Sequence, residues 1–301
     1  MVQRPSKDIV EIFGYAPDDL SVASRSLWNL GACPFIEKPC TKTNHDQTIT
    51  YGTCSVTSPY GDCIICPNRM YENSYASLKR IAYDVFGSDS EFLTYQEYIS
   101  RRNDISEGIV ALGQTSGKEV KLGTSLSMDW VLAKVHHGNL IEYVGIEVQS
   151  IDITGNYRDN WYAYKNLNSP DTIIPKSGHG MNWANVHKRL IPQLIRKGLI
   201  YSRSNLVVSG LYFFLPDIVY KKFEEVIGSD IPLVDKYAPG ILTVHTYSLS
   251  SPVEHGKQRY LILEREIKFE LEEFSGRFIA GAHLPSGEDL DNSVRRVLGL
   301  L

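Results

Sequence analysis

The chain has no uninterrupted apolar run approaching the length that spans a bilayer. Its N-terminus, Met1-Val2-Gln3-Arg4-Pro5-Ser6-Lys7-Asp8, lacks the apolar stretch of a secretory signal, so a cytoplasmic location without membrane partners is expected. Internal repeats and low-complexity tracts are also missing. Cysteine is absent after Cys66, and no Asp or Glu occurs between Thr172 and Pro216. That acid-free stretch carries Lys176, Lys188, Arg189, Arg196, Lys197 and Arg203. A net charge of −4 argues mildly against nucleic acid, but it averages over the whole surface and leaves room for a local basic patch. An ordinary basic face is the plainer reading of such a run. With 301 residues, 43% of them hydrophobic and 22% charged, the chain has the makings of one large or two ordinary globular domains.

Periodicity outlines the organisation. Residues 8–31 have amphipathic helical spacing and end near Gly31, and residues 32–72 are rich in Cys, Pro, Thr and Gly with short strands. Helical spacing returns over 73–107, broken at Gly87-Ser88-Asp89-Ser90. Strands are predicted at Gly108–Leu112, Val120–Leu122, 126–135 and 140–153. A basic helix is predicted over 182–202, bent where Pro192 removes a backbone donor. Residues 210–215 read as a buried strand, Pro216 opens a helix over 217–226, and Ile241–Tyr247 and Arg265–Leu271 read as late strands. This mixture predicts an α/β core with a mixed sheet flanked by helices.

The cysteines are crowded: Cys33, Cys40, Cys54, Cys63 and Cys66. In a cytoplasmic protein such crowding favours a metal site over disulfides, the alternative being structural thiols that cluster by chance. A tetrahedral site takes four, so one is spare. Cys63-Ile64-Ile65-Cys66 is a poor chelating turn, because Ile-Ile prefers an extended strand and residues three apart on a strand point to opposite faces. Cys66 is the better ligand, since Pro67 ends the strand there. Cys33, Cys40, Cys54 and Cys66 then form a closed structural site in a small N-terminal subdomain, and zinc is its usual occupant.

The strongest chemical signal is a hairpin. A turn centred near Gly138 makes antiparallel partner numbers sum to about 276, which sets Asp129 opposite Glu147. Gln149 shares the face of Glu147, while Ile146 and Val148 turn to the other side. Two facing carboxylates repel, so they need a cation or a shared proton. Oxygen ligands of this kind suit Mg2+, with Asp129 and Glu147 as ligands and the Val148 carbonyl as a third candidate oxygen. Solvent-facing residues of an ordinary strand pair are the bland alternative.

The surrounding residues resemble the NotI-type restriction endonucleases. The resemblance rests on Asp129-Trp130-x-Leu132-Ala133, then Gly145-x-Glu147-x-Gln149-Ser150-x-Asp152-x-x-Gly155-x-Tyr157. It extends to Gly178-x-Gly180-x-Asn182-x-x-Asn185-Val186-x-Lys188-Arg189 and runs from about Ile9 to the C-terminus. The cysteine pattern Cys33-Pro34-Phe35, Cys40, Gly52-x-Cys54 and Cys66-Pro67-Asn68-Arg69 belongs to it, and Cys63 does not. The resemblance implies a PD-(D/E)XK-type nuclease fold in which Asp…Glu-x-Gln replaces the commoner Glu-x-Lys. It makes iron the first choice at the four cysteines, and Glu119 resembles an additional catalytic carboxylate. Residues 1–75 would hold the N-terminal helix and the cysteine site, and 76–301 the nuclease core with its DNA-recognition elements.

The implied activity is Mg-dependent cleavage of double-stranded DNA at a GC-rich palindrome containing CGGCCG, leaving 5′-phosphate ends with four-base 5′ extensions. A palindrome implies a homodimer with one active site per strand, and a companion DNA methyltransferase acting on the same site. Because Gln149 is neutral, most of the lowering of the water pKa would fall to the metal. Asn182, Asn185, Lys188 and Arg189 on the basic helix are the candidate base readers, with capping or phosphate contact as the alternative for each. A non-catalytic DNA-binding protein with a structural metal site is the competing expectation.

Overall fold

Alternation of apolar and polar residues over 126–148 produces the strands at the centre of the molecule. The structure is a computed structural model that describes residues 4–122, 126–169, 171–281 and 284–300. Met1, Val2 and Gln3, part of the N-terminus read above as lacking a secretory signal, and Leu301 lie outside the described residues. In chain order the elements begin with β1 (Ile9–Ile12), α1 (Val22–Leu30), β2 (Ala32–Cys33), β3 (Lys38–Pro39), β4 (Thr53–Ser58) and β5 (Gly61–Ile64). Then come α2 (Glu72–Phe86), β6 (Phe92–Thr94), α3 (Tyr95–Arg101), β7 (Glu107–Gly113), β8 (Val120–Leu122) and β9 (Leu126–Met128). The hairpin β10 (Trp130–His136) and β11 (Asn139–Val148) is followed by β12 (Ile153–Thr154), α4 (Arg158–Lys165), β13 (Gly180–Met181) and α5 (Ile191–Tyr201). The chain finishes with β14 (Leu211–Pro216), α6 (Asp217–Ile227), β15 (Ile241–Leu249), β16 (Leu261–Glu270), α7 (Leu271–Ala280) and α8 (Gly287–Val297).

Seven strands form one mixed sheet in the order β16-β15-β14-β11-β10-β7-β6. β11, β14 and β15 run parallel, and α4, α5 and α6 lie in the crossovers that parallel pairing requires. β10 is antiparallel to both β7 and β11. The sheet is covered on both faces, which is why β14 is apolar and buried along its whole length. Leu78, Ile81 and Ala82 of α2 pack with Trp130, Leu132, Val144, Ile146, Tyr212 and Phe214. On the other face Leu194 of α5, Phe223 of α6 and Phe274 of α7 pack with Val131, Leu211 and Phe213.

A smaller antiparallel sheet, β1-β4-β5, carries Cys54 and Cys63. Arg69, with a fully buried side chain, ties it to the rest through Glu11 of β1, Glu72 at the start of α2 and the Arg259 carbonyl. Cys33, Phe35 and Ile64 share a core cluster with Ile146 and Phe214 of the large sheet. Residue 75, the expected boundary, is the last of three residues with left-handed φ that interrupt α2 near its start.

Several predicted segments are corrected. Residues 8–31 are not one helix: Ile9–Ile12 pairs with β4, positive φ at Phe13 and Gly14 turns the chain, and only Val22–Leu30 is helical. Ile-Val-Glu-Ile satisfies its backbone in a ladder, and Asp8 pins its start by accepting from Ile9 N–H, Asn160 and Tyr164. Residues 73–107 are likewise divided. Asn73, Ser74 and Tyr75 have left-handed φ values, which L-residues adopt at a cost of about 1–2 kcal/mol each. Right-handed helix follows to Phe86, then β6 and α3. The strand predicted over 140–153 stops at Val148. The basic helix opens with a wide π turn over Val186–Leu190, where Ile191 N–H donates to the Val186 carbonyl. Pro192 follows in the first turn of α5, which runs on directly from that π turn. No helix among the described residues is long and apolar enough to cross a membrane.

Candidate active site

The hairpin register brings the two carboxylates together. Trp130 pairs with Ile146 and Val131 with Gly145, the register expected from the turn, and it holds down to Lys134 opposite Glu142. Asp129 sits at the bend between β9 and β10, one residue beyond the last of these pairs, and Glu147 continues β11 on the opposite strand. The Val148 N–H donates to Asp129 Oδ2 at 3.0 Å, fixing the first carboxylate against the second strand. Val144, Ile146 and Val148 point into the α2 face, so Glu147 points toward α5.

On that side Lys197 of α5 donates to Glu147 Oε2. Gly145 is what lets α5 come so close: a Cβ there would lie 1.9 Å from the Tyr201 ring. The glycine and the glutamate, one admitting the Tyr201 ring and the other accepting from Lys197, therefore both set how α5 lies over β11. Burial pushes the Glu147 carboxyl up to about 8; the Asp129 charge adds to the rise and the Lys197 cation opposes it. Glu147 Oε1 is buried and has no hydrogen-bond partner among the described residues. A buried carboxyl that burial and a second carboxylate hold protonated is one that a bound cation would return to its anionic form.

Asp129, Glu147, Val148 and Gln149 line one open cleft of about 340 Å³, together with Arg189, Gln193 and Lys197. Gln149 is held by donating its side-chain N–H to the Ser150 carbonyl at 2.8 Å and its backbone N–H to the Phe214 carbonyl at 3.1 Å. Glu119 does not line this cleft. Its ion pair is with Lys121 at 3.4 Å, and the β8–β9 ladder ends one residue short of it, at Val120 and Met128. Asn182 precedes the helix instead of sharing a face with Asn185; it donates its backbone N–H to the Asp152 carbonyl. The Asn185 side chain is engaged by Asp152 Oδ2 at 2.8 Å, so both asparagines anchor the helix to the loop after β11. Lys188 and Arg189 are exposed, and of the two only Arg189 borders the cleft.

Lys197 is the residue that sequence reasoning missed as a member of the site. It lies far along the chain from Glu147, and the basic run was read for DNA contact alone. A signal was present: Arg189, Gln193 and Lys197 follow at steps of four and share one helical face.

The cysteines sit at the junction of the two sheets. Burial pushes Cys33 up to about 11, and the neighbouring Cys66 and Cys40 thiols add to it. Burial also raises Cys40 and Cys54, and the Cys66 thiol adds to the rise in each. Burial and Asp62 push Cys63 up to about 12, and no other cysteine contributes there. Cys63 packs instead with the core on the α6 side of the large sheet. The group of three ligand atoms that lies within 4.8 Å among the described residues is a different one, Asp84, His245 and Glu266.

No protein-family model matches the chain, and no curated protein is significantly similar to it.

Proposed function

We propose that the chain is a magnesium-dependent type II restriction endonuclease that acts on double-stranded DNA as a homodimer. The observation that carries this reading is the Asp129–Glu147 pair, with a bare buried oxygen on Glu147 and Lys197 beside it in an open cleft. The donor set fits Mg2+: both carboxylates offer hard oxygens, and the cleft leaves room for the waters that the ion retains. Asp129 and Glu147 would hold the ion, with the Val148 carbonyl as the third protein oxygen. Bound magnesium supplies a more acidic water and neutralises charge on the phosphate.

The chain's own groups do the rest. Lys197 provides the positive charge that Gln149 lacks, reaching the same carboxylate from a helix instead of from the strand. Gln149 orients by hydrogen bonding, and Arg189 at the rim meets a phosphate oxygen. Water attacks phosphorus, the 3′ oxygen leaves with a proton, and a 5′-phosphate remains. Burial of Lys197 against Glu147 also keeps the pair aligned before DNA arrives, a preorganisation that electrostatic catalysis requires.

Cys33, Cys40, Cys54 and Cys66 would form a closed four-thiolate site for iron or zinc. The charge of Cys66 acts on each of the other three and not on Cys63, although the four sulfurs do not lie within 4.8 Å of one another and would have to close on the ion. Their raised values describe protonated thiols, and a metal would replace those protons. Such a site would brace the small sheet against the strand that bears Glu147.

Plasmid digestion with Mg2+ and with EDTA tests the reading. Discrete fragments with 5′-phosphate ends, lost in EDTA, are expected from a substrate containing CGGCCG. A retarded but intact plasmid under both conditions would identify a DNA-binding protein without catalysis.

A further inference from the structure

We propose that Asp84, His245 and Glu266 form a separate site for a borderline divalent cation of the Zn2+ type, linking α2 to β15 and the edge strand β16. None of its residues lines the Asp129–Glu147 cleft or belongs to the cysteine group. One ligand atom from each of the three lies within 4.8 Å of the others. His245 and Glu266 are direct cross-strand partners, and Asp84 comes from α2, which packs over that face.

The second observation is the imidazole. His245 is 1% exposed, yet neither ring nitrogen has a hydrogen-bond partner among the described residues. Its Nε2 lies 3.7 Å from Glu266 Oε2. That is too long for a hydrogen bond and close to the roughly 3.3 Å between two ligands that share one tetrahedral zinc with bonds of about 2.0 Å. The other carboxylate oxygen of Glu266 is held by Lys268 at 3.0 Å, which leaves Oε2 turned toward the histidine.

A structural histidine in a core ordinarily meets a carbonyl or a hydroxyl, and a buried one with two free nitrogens calls for a different partner. Burial, with Arg80 and Lys268 nearby, holds the ring neutral at pH 7 against the pull of Glu266, so a lone pair is available. Imidazole nitrogen with two carboxylate oxygens selects Zn2+ or its first-row neighbours over Mg2+. Three protein ligands leave a fourth position open to water or another donor. Tyr247, two residues along β15, has a buried hydroxyl without a partner and feels both Asp84 and Glu266.

Equilibrium dialysis of the full chain against micromolar ZnCl2, followed by elemental analysis, tests the site. Asp84 and Glu266 are both exposed, so Asp84→Asn with Glu266→Gln leaves the core intact. The double variant is expected to bind about one Zn2+ per chain fewer than the parent. The same difference is expected in an Asp129→Asn background, which separates this site from the cleft. Added Zn2+ should raise the melting temperature of the parent more than that of the double variant. Should the double variant lose fold, Asp84→Asn alone carries the same comparison. Equal zinc content and equal melting shifts in parent and variant would overturn the proposal, as would occupancy by Mg2+ in place of Zn2+.

Discussion

The carboxylate cleft and the cysteine cluster are both raised by burial, but they differ in exposure and in donor chemistry. In the cleft, burial raises a group that is needed as an anion, and a lysine from α5 works against the rise. Among the cysteines burial is likewise the largest influence on every thiol, and the Lys42 and Arg69 cations oppose it at Cys66 without making an ion pair with the sulfur. The cleft is open and lined by oxygens, whereas Cys33, Cys54 and Cys66 are buried in the packed junction. The difference teaches what each region is suited to hold. An open oxygen site with its own counter-charge suits an exchangeable ion, and closed neutral thiols suit a permanent one.

The largest expected effect lies on the cysteine side. On the proposed four-thiolate reading, Ser at Cys33, Cys40, Cys54 or Cys66 should lower metal content and impair folding, since structural zinc sites contribute about 10–16 kcal/mol in small peptides. Cys63→Ser should keep the metal. Elemental analysis of each purified variant reads the outcome, and metal loss in the Cys63 variant would show that the wrong thiol was set aside. On the cleft side, Asp129→Asn and Glu147→Gln should each cost about 4 kcal/mol of barrier, on the order of a thousandfold in cleavage rate, while specific binding persists. Near-normal cutting by either variant would sink the assignment.

How much of this was legible in the sequence follows the range of each interaction. The Asp129–Glu147 register could be read because a hairpin is local and its turn, near Gly138, is marked by residue type. The separation of Cys63 from Cys66 could be read because strand alternation is local too. Lys197 could not be placed, because its position depends on α5 crossing β11 at Gly145, a tertiary contact. The strand at Ile9–Ile12 was hidden for the same reason: its ladder partner lies on β4, and its own spacing imitates a helix. His245 was invisible as well, since its partners come from β16 and α2.

Lys197→Met sharpens the comparison by removing the counter-charge alone. The rate should fall by about a hundredfold, the effect of deleting one preorganised electrostatic contact, with DNA affinity less affected. Single-turnover rates beside equilibrium binding separate the two, and an unchanged rate would return the charge role to the metal.

The pH dependence of stability is a smaller effect with a definite sign. Glu147 has a folded value of about 8 against an ordinary 4.5, so across that window the folded state binds more protons than the unfolded state. Stability of the metal-free protein should then fall as pH rises from about 4.5 to about 8. Glu147→Gln should flatten this fall, and Mg2+ should offset it at the alkaline end by favouring the anion. Urea midpoints at pH 5 and pH 8, with and without Mg2+, measure both. A slope that survives in the glutamine variant would mean that another group carries it.

The smallest effect concerns the rim of the cleft, where Arg189 and Lys188 are adjacent in sequence but differ in place. Arg189 borders the cleft with Gln193 and Lys197, and Lys188 is exposed outside it. The Asn185 side chain is engaged by Asp152, and Asn182 is tied to it only through its backbone N–H, so the comparison falls on the two cations. Arg189→Ala should weaken binding to cognate and random DNA alike and reduce the slope of log K against log salt by about 0.9, the mark of one phosphate contact. Lys188→Ala should instead cost about 1–3 kcal/mol on cognate DNA and relax preference at one position of each half-site. Competition binding against single-base variants at two salt concentrations distinguishes them. If the two variants exchange behaviours, the cleft-bordering residue is the reader and DNA enters from the other side of α5. If both bind like the parent, the basic helix serves only to carry Lys197 to Glu147.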